Sequence, residues 1–190
     1  NAFDLSHERK FSMNMGELVP ILCEDVLPGD TFQINTEVMI RFAPLLAPIM
    51  HRINVFTHFF FVPNRLIWEE WEEFITGGED GEDQPIMPYM TLGINDTSLK
   101  EGSLADYLGH ATIEALPTTQ NINSLPFKAY SLIYNEYYRD QNLQDPIDVP
   151  INSGQSSSTQ ITKLRTRAWE KDYFTSALPW TQRGGEVSLP

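Results

Sequence analysis

The sequence predicts a mainly β fold that carries helical segments, and two stretches predict its strands. Apolar and polar residues alternate from Phe32 to Phe42, which is the two-residue period of a half-buried strand. A second strand is expected from about Ile53 to Val62, where apolar residues fill both faces by the end of the run. Because both faces are apolar, this strand must be covered on both sides, by insertions of the same chain or by neighbouring subunits.

A helix is expected directly after the second strand. Pro63 and Asn64 end that strand, and Asn64 is suited to cap the helix. The apolar positions follow the helical repeat until Gly77 and Gly78, and the glutamates between them fall on the opposite side. These apolar positions are Ile67, Trp68, Trp71, Phe74 and Ile75.

A second helix is expected to begin at Ser124 and Pro126, which are good N-terminal signals. It carries an aromatic stripe at three- and four-residue spacing and should end at the sequence DQNLQDP. Shorter helices are predicted near Ser103–His110 and around Trp169–Ser176. The stripe consists of Phe127, Tyr130, Tyr134, Tyr137 and Tyr138.

The length and charge of the chain restrict the classes of function that it can have. The 190 residues fit one domain, and 26 acidic against 13 basic residues give a formal charge of −13. The acids are concentrated in the first part, because residues 1–120 hold 19 acids and 6 bases whereas residues 121–190 hold 7 of each. Such a field repels phosphate, so the chain is a poor candidate for holding nucleic acid unaided. No apolar run approaches the length of a membrane span.

The sequence predicts no enzyme. Glu69 and Glu73 form an i,i+4 pair on one helix face, where like charges are normally kept apart by water rather than tuned as a catalytic pair. The four histidines are scattered, and the acidic loop GGEDGEDQ lacks the ligand spacing of a dedicated calcium loop. No nucleophile elbow or phosphate-binding glycine loop is present. We therefore predict no catalytic, cofactor-binding or metal-binding residue.

Cations and aromatic residues meet near the end of the chain. Lys163, Arg165, Arg167 and Lys171 lie close in sequence to Trp169 and its aromatic neighbours. Such a mixture can hold single-stranded nucleic acid by charge and stacking. The alternative, an interface or loop cluster that offsets nearby acids, is favoured over it. The DNA-contact candidates are Lys163, Arg165 and Arg167.

The aromatic surplus is best explained by contacts, because tryptophan, tyrosine and arginine anchor protein interfaces. Core packing is the alternative for any one of these side chains. The candidates for subunit contacts are Trp68, Trp71, Phe74, Tyr173, Phe174 and Trp180.

Several unusual stretches occur in an order that resembles one known family. They are FDLSHE at residues 3–8, LPGDTF at 27–32, FFFVPNRLIWEEWEEF at 59–74, YNEYYRDQNL at 134–143 and DYFTSALPWTQRG at 172–184. Together they resemble the major capsid protein of the microviruses, the small tailless single-stranded-DNA bacteriophages, and within them the gokushovirus branch.

The resemblance implies an eight-stranded viral jelly roll with long, partly helical insertions. Residues 1–190 would be the amino-terminal portion of that single domain, with insertions at about 64–150. Copies would form an icosahedral shell around the single-stranded DNA genome, without enzymatic activity. The implied partners are other copies, packaged DNA, a small basic DNA-associated protein, and scaffolding proteins during assembly in the host bacterial cytoplasm. The virion is the implied location, with no membrane contact and no cofactor.

Two other functions compete with this interpretation. One is a carbohydrate-binding β-sandwich module that uses Trp68, Trp71 or Trp180, which requires these side chains to be exposed in one concave patch. The other is a glycosidase that uses two of the helix glutamates. It would need two carboxyl groups facing each other across a cleft, which neighbouring positions on one helix do not readily supply.

Overall fold

The computed structural model describes residues 2–92, 97–112, 119–156, 160–178 and 180. The chain divides into two units. The larger unit combines Asn1–Cys23 with Val62–Pro190, and the smaller unit is Glu24–Phe61.

The larger unit contains short helices and one small sheet. Its α-helices are α1 (Trp71–Thr76), α2 (Leu104–Tyr107) and α3 (Leu125–Ile133). Its strands are β1 (Tyr89–Leu92) and β2 (Gln120–Asn123). Two 3₁₀ turns, Asn64–Leu66 and Thr97–Leu99, and a π-helical turn, Tyr134–Tyr138, complete the regular structure of the described part.

The two strands pair antiparallel, with Tyr89 opposite Asn123 and Leu92 opposite Gln120. Met90 and Leu92 of β1 are buried on one face, as the two-residue period requires. Neither strand was predicted from the sequence, because four residues are too few to establish a period within a stretch that has little pattern.

A small apolar core fills one side of this sheet. Phe127 of α3 and Leu104 of α2 are fully enclosed, and they pack with the two buried side chains of β1. Ile161 belongs to the same cluster, so the segment after residue 160 returns to the body of the unit. Hydrogen bonds also attach the amino-terminal segment, since Leu18 N–H donates to the Arg165 carbonyl at 2.9 Å.

Three of the four predicted helices form. The helix after Ser124 is present and ends at Tyr138, ahead of the DQNLQDP sequence. The helix near Ser103–His110 is α2, whose N-cap Ser103 accepts a hydrogen bond from the Asp106 N–H through its side chain. The helix after Asn64 forms in two parts, a 3₁₀ turn followed by α1, and Gly77 ends it in the left-handed conformation at φ 81°.

The prediction that Asn64 caps this helix is wrong in its detail. Pro63 occupies the position before the 3₁₀ turn and Glu70 the position before α1. The backbone carbonyl of Asn64, rather than its side chain, accepts hydrogen bonds from Ile67 and Trp68 N–H.

The predicted helix around Trp169–Ser176 is also wrong, because residues 169–176 form no helix. Asp172 instead organises a turn, in which its Oδ1 accepts from Phe174 N–H at 2.9 Å and from Thr175 N–H at 2.7 Å. An aspartate that bonds to the backbone ahead of it in this way competes with the helix.

The strands predicted at Phe32–Phe42 and Ile53–Val62 do not form among the residues described. All of residues 24–61 are exposed and without regular structure. The physical reason is that a strand exists only when its backbone groups pair with a neighbour, whereas the alternation specifies only which face is apolar. The observed sheet has two strands, so the described chain itself does not contain an eight-stranded jelly roll.

Phe127→Ala tests the core. We expect a loss of about 3–5 kcal/mol in the free energy of unfolding, because the substitution empties a fully enclosed aromatic site. Phe174→Ala is the matched control and should change stability by less than about 0.5 kcal/mol, since an exposed ring loses little on truncation. Denaturant unfolding measures both, and equal effects would contradict the assignment of the core.

Candidate assembly and nucleic-acid surfaces

The aromatic segment around α1 divides into a buried and an exposed part. Trp68 is fully enclosed, and its indole N–H donates to Ser153 Oγ at 2.7 Å. That hydroxyl in turn donates to a carboxylate oxygen of Glu70. Trp68 is therefore held inside the chain and offers no surface to a neighbour in this conformation.

Trp71 and Phe74 extend outward from this buried tryptophan. The ring centroids of Trp68 and Phe74 lie 4.8 Å apart, and those of Trp71 and Phe74 lie 6.0 Å apart in a stacked arrangement. Trp71 is half-buried, whereas Phe74 keeps 46% of its surface exposed. The α1 surface, which we define as Trp71, Phe74 and Ile75, is thus an apolar patch with its base fixed by Trp68.

A second aromatic group lies in the turn that Asp172 organises. Tyr173 is 90% exposed and Phe174 is 87% exposed, and their rings meet edge to face at 5.7 Å. Trp180 is also exposed. Side chains this apolar are unusual on the surface of a free protein when they occur close together.

The predicted DNA-contact residues have different environments. Lys163 and Arg167 are exposed. Arg165 is half-buried, donates through its guanidinium to the Gln160 carbonyl at 2.6 Å, and lies over the Tyr134 ring at 5.7 Å. The Arg165 side chain is therefore largely used in holding the fold together.

A groove near these cations was not identified from sequence. It has a volume of about 340 Å³ and lies between residues 137–142 and residues 167–171. Tyr137 and Trp169 line it, together with Arg139, Arg167 and Lys171. The closeness of Lys171 and Trp169 to Arg167 was visible in the sequence, but no sequence signal placed Tyr137 beside them.

A buried lysine is the most unusual ionisable group of the described residues. Lys128 of α3 is fully enclosed, and its Nζ donates to the Asn152 carbonyl at 3.3 Å. Burial lowers the pKa of Lys128 to about 8, and the negative charge of Glu69 opposes this change. No sequence signal distinguished this lysine from a surface lysine.

The geometry weighs against the two competing functions. The carbohydrate-binding interpretation requires exposed tryptophans, but Trp68 is enclosed. The glycosidase requires two carboxyl groups that face each other across a cleft, whereas Glu72 and Glu73 are neighbours on the exposed surface of α1. Within the part of the chain that the structure describes, no group of three or more histidine, cysteine or acidic side chains is placed to hold a metal ion. No helix in that part is both long and apolar enough to cross a membrane.

Exposed apolar surfaces of this kind often mark sites where another protein binds, and comparison with known proteins gives the class of the chain. The family model described as "Capsid protein (F protein)" matches residues 1–190, so the chain belongs to this family of structural, rather than catalytic, viral proteins. The resemblance to the gokushovirus capsid proteins is confirmed.

Individual relatives agree with this family assignment. The chain is 39% identical over 209 aligned residues to capsid protein VP1 of Chlamydia phage 1, covering 100% of the chain and 35% of that protein. It is 38% identical over 188 residues to capsid protein VP1 of Bdellovibrio phage phiMH2K, covering 99% and 34%. For capsid protein VP1 of Spiroplasma virus 4 the identity is 29% over 196 residues, covering 97% and 35%. The chain therefore spans about a third of the length of these relatives.

The environment of Lys128 predicts a pH dependence of stability. The pKa of this lysine falls from 10.5 to about 8 on folding, so between these values the unfolded chain holds a proton that the folded chain has lost. Stability should therefore rise with pH across that interval. In Lys128→Met this rise should be smaller by roughly 1–3 kcal/mol, because each tenfold change in proton affinity is worth about 1.4 kcal/mol.

Urea unfolding at pH values below and above this interval measures the effect. The control is Lys163→Met, which removes an exposed lysine and should follow the wild-type profile. Tyrosines that titrate at higher pH are present in all three proteins, so their contribution cancels in the comparison. If Lys128→Met and the wild type showed the same change with pH, the buried position of the amine would be refuted.

Proposed function

We propose that this chain is part of a structural major capsid protein, whose copies assemble into an icosahedral shell around a single-stranded DNA phage genome. The observation that carries the proposal is membership of the capsid family along the whole chain. Large exposed apolar side chains support it, because a surface of this kind is normally covered by a partner.

In this proposal the outward-facing aromatic residues contact neighbouring copies. Phe74, Tyr173, Phe174 and Trp180 are exposed, and Trp71 lies half-buried beside Phe74. Aromatic side chains of this type are common at the centres of protein interfaces. Trp68, which the sequence also indicated, serves these contacts indirectly, because its enclosed ring supports the α1 surface from beneath.

The finer architecture also belongs to the proposal. Residues 1–190 would be the amino-terminal portion of one jelly-roll domain, with the segment at about 64–150 as an insertion. The predicted strands at residues 32–42 and 53–62 would then pair with strands elsewhere in the shell protein. Their exposed apolar side chains support this, since Phe32, Phe42 and Phe59 would otherwise face water.

The remaining partners are proposed on the same basis. Lys163 and Arg167 are the cations that we assign to packaged DNA, while Arg165 contributes mainly by positioning the segment that carries them. A small basic DNA-associated protein would supply most of the positive charge that the acidic chain lacks. Scaffolding proteins would act during assembly in the host bacterial cytoplasm, and the finished protein would reside in the virion and catalyse no reaction.

The α1 surface gives a direct test of assembly. Trp71→Ala in the full-length capsid protein should reduce the yield of particles by about tenfold, because aromatic anchors often contribute 2 kcal/mol or more to an interface. Glu72→Ala, on the same helix, should reduce it far less. Sedimentation of the native material measures the particle fraction as a narrow boundary of very large mass. Equal yields for the two variants would remove α1 from the interface.

The wild-type boundary tests the shell itself. If the complete wild-type gene product sedimented as a monomer or small oligomer, the capsid proposal would fail, whatever the variants did.

The DNA assignment is tested by neutralising Lys163 and Arg167 together, with Arg165 retained for the fold. Two lost phosphate contacts should make genome retention weaker and reduce its salt dependence by a slope of about 1.4 on a log–log scale. The control neutralises Lys10 and Lys100, which are exposed elsewhere on the chain. An unchanged DNA content of particles across the salt series would contradict the assignment.

A further inference from the structure

The groove between residues 137–142 and 167–171 combines a small volume, exposed aromatic rings and an excess of positive charge. Its volume of about 340 Å³ is within the range of small-ligand sites. Its two walls are fixed to each other, because Ala168 N–H donates to the Tyr138 carbonyl at 2.8 Å. The Arg167 N–H donates to the Gly16 carbonyl at 2.9 Å, which anchors the second wall to the amino-terminal segment as well. The groove is therefore built from backbone contacts, not from loosely placed side chains.

Two aromatic side chains line this groove from opposite walls. Tyr137 is 69% exposed and Trp169 is 77% exposed. Rings with this much accessible face can receive a flat partner, and stacking of a nucleobase on an aromatic side chain is sequence-tolerant because every base has a π face.

The charges in the groove favour a single anion. Arg139, Arg167 and Lys171 face Asp140 and Glu170, which leaves an excess of one positive charge on a chain of net charge −13. Lys171 is already paired with Asp140 at 2.6 Å, and Arg139 donates to the Gln144 carbonyl. Arg167 and Lys171 are both exposed, and Arg167 directly precedes Ala168, whose backbone bonds to the Tyr138 wall.

Arg167 and Tyr138 both line this groove, and Ala168, the residue after Arg167, donates its N–H to the Tyr138 carbonyl. Burial raises the pKa of the Tyr138 phenol, and the Arg167 charge lowers it. An anion bound to Arg167 would consequently be held beside the aromatic walls.

We propose that this groove binds one nucleotide of a single-stranded nucleic acid, with the base against Trp169 and Tyr137 and the phosphate on Arg167. The inference rests on the proposed function, in which the shell encloses single-stranded DNA. It extends that function, because it adds base stacking at a defined site. The proposed DNA contacts of Lys163 and Arg167 involve phosphate groups only.

Neither charge nor stacking alone accounts for the lining. A site for inorganic phosphate needs the arginine but has no use for two exposed rings. A carbohydrate site needs the rings but gains little from an excess cation. A nucleotide uses both, and a single-stranded chain presents its bases for stacking whereas a duplex does not.

The test measures binding of a short fluorescent oligothymidylate to full-length unassembled capsid protein by fluorescence anisotropy. Trp169→Ala should weaken binding about tenfold, which is the usual size of the loss when a stacking side chain is removed. Arg167→Ala should weaken binding as well, because it removes the phosphate contact. Arg167→Ala should also lower the salt slope by about 0.7, as expected for one phosphate of a single strand. Trp169→Phe keeps an aromatic face and should restore most of the affinity.

Two matched controls lie outside the groove. Phe3→Ala removes another exposed aromatic ring, and Lys100→Ala removes another exposed cation. Both should bind within about twofold of the wild type. Unfolding midpoints of all variants are measured in parallel, so that a loss of binding is compared only between folded proteins.

An abasic oligonucleotide with the same number of phosphates separates stacking from charge. Wild-type protein should bind it about tenfold more weakly than oligothymidylate, and this difference should become smaller in Trp169→Ala, which keeps only the Tyr137 ring. Equal binding of the two oligonucleotides by the wild type would overturn the proposal in favour of an anion site. Binding that Trp169→Ala leaves unchanged would overturn it as well.

The result separates this inference from the proposed function. If the wild-type protein assembles into particles but the groove variants bind oligothymidylate as the wild type does, the groove assignment fails and the shell function stands. If no particles form under any condition while the groove binds as expected, the shell function fails and the nucleotide site stands.

Discussion

The burial of Phe127 is the interaction on which the larger unit depends. The ring is fully enclosed by side chains from β1, α2 and the segment at Ile161, so it joins parts of the chain that are far apart in sequence. A single α-helix, α3, carries this ring, and the positions of its other side chains follow from it. Lys128 is turned toward the Asn152 carbonyl, and Tyr130 donates its hydroxyl to the Leu18 carbonyl at 2.9 Å. The orientation of α3 therefore fixes the amino-terminal segment as well as the core.

The end of α3 shows how a local change of helical period produces a surface. Tyr134 is still buried and donates to Gln144 Oε1 at 2.7 Å, whereas Tyr137, one turn later, is largely exposed. The intervening turn is π-helical, which adds a residue to the turn and changes the direction of the side chains that follow. Tyr137 reaches the groove for this reason, while a regular α-helical continuation would carry the stripe of tyrosines along the same side.

The sequence predicted those elements whose signals are local. Ser124 and Pro126 sit at the start of α3, and Gly77 ends α1, because start and stop signals act within one turn of a helix. The strand patterns at residues 32–42 and 53–62 did not become strands in the described chain, because pairing depends on a partner that periodicity does not identify.

The sequence predicted aromatic contact surfaces, but it did not show which of the aromatic residues are exposed. The richness in aromatic residues predicted contact surfaces, and Tyr173 and Phe174 are exposed. It also included Trp68, whose burial depends on Ser153, a partner 85 positions further along the chain. Arg165 was predicted as a DNA contact together with Lys163. Its position over the Tyr134 ring is a tertiary contact, which the sequence pattern does not show. Burial and partners of this range are properties of the fold, and no local pattern encodes them.

The acidic character of the chain determines how its surfaces can act together. With a net charge of −13, copies repel one another until apolar contact or salt offsets the repulsion. The exposed aromatic surfaces would provide apolar contact in the proposed shell, and the carboxylates of α1 lie close beside the first of them. In the proposed shell, attraction of this kind would stay weak for each contact, and weak contacts would allow misplaced subunits to dissociate before a closed, symmetric assembly is complete. The basic residues fall near Arg167, where residues 121–190 hold as many bases as acids. The part of the chain that can approach a phosphate is thus separated in sequence from the acidic part that limits association between copies.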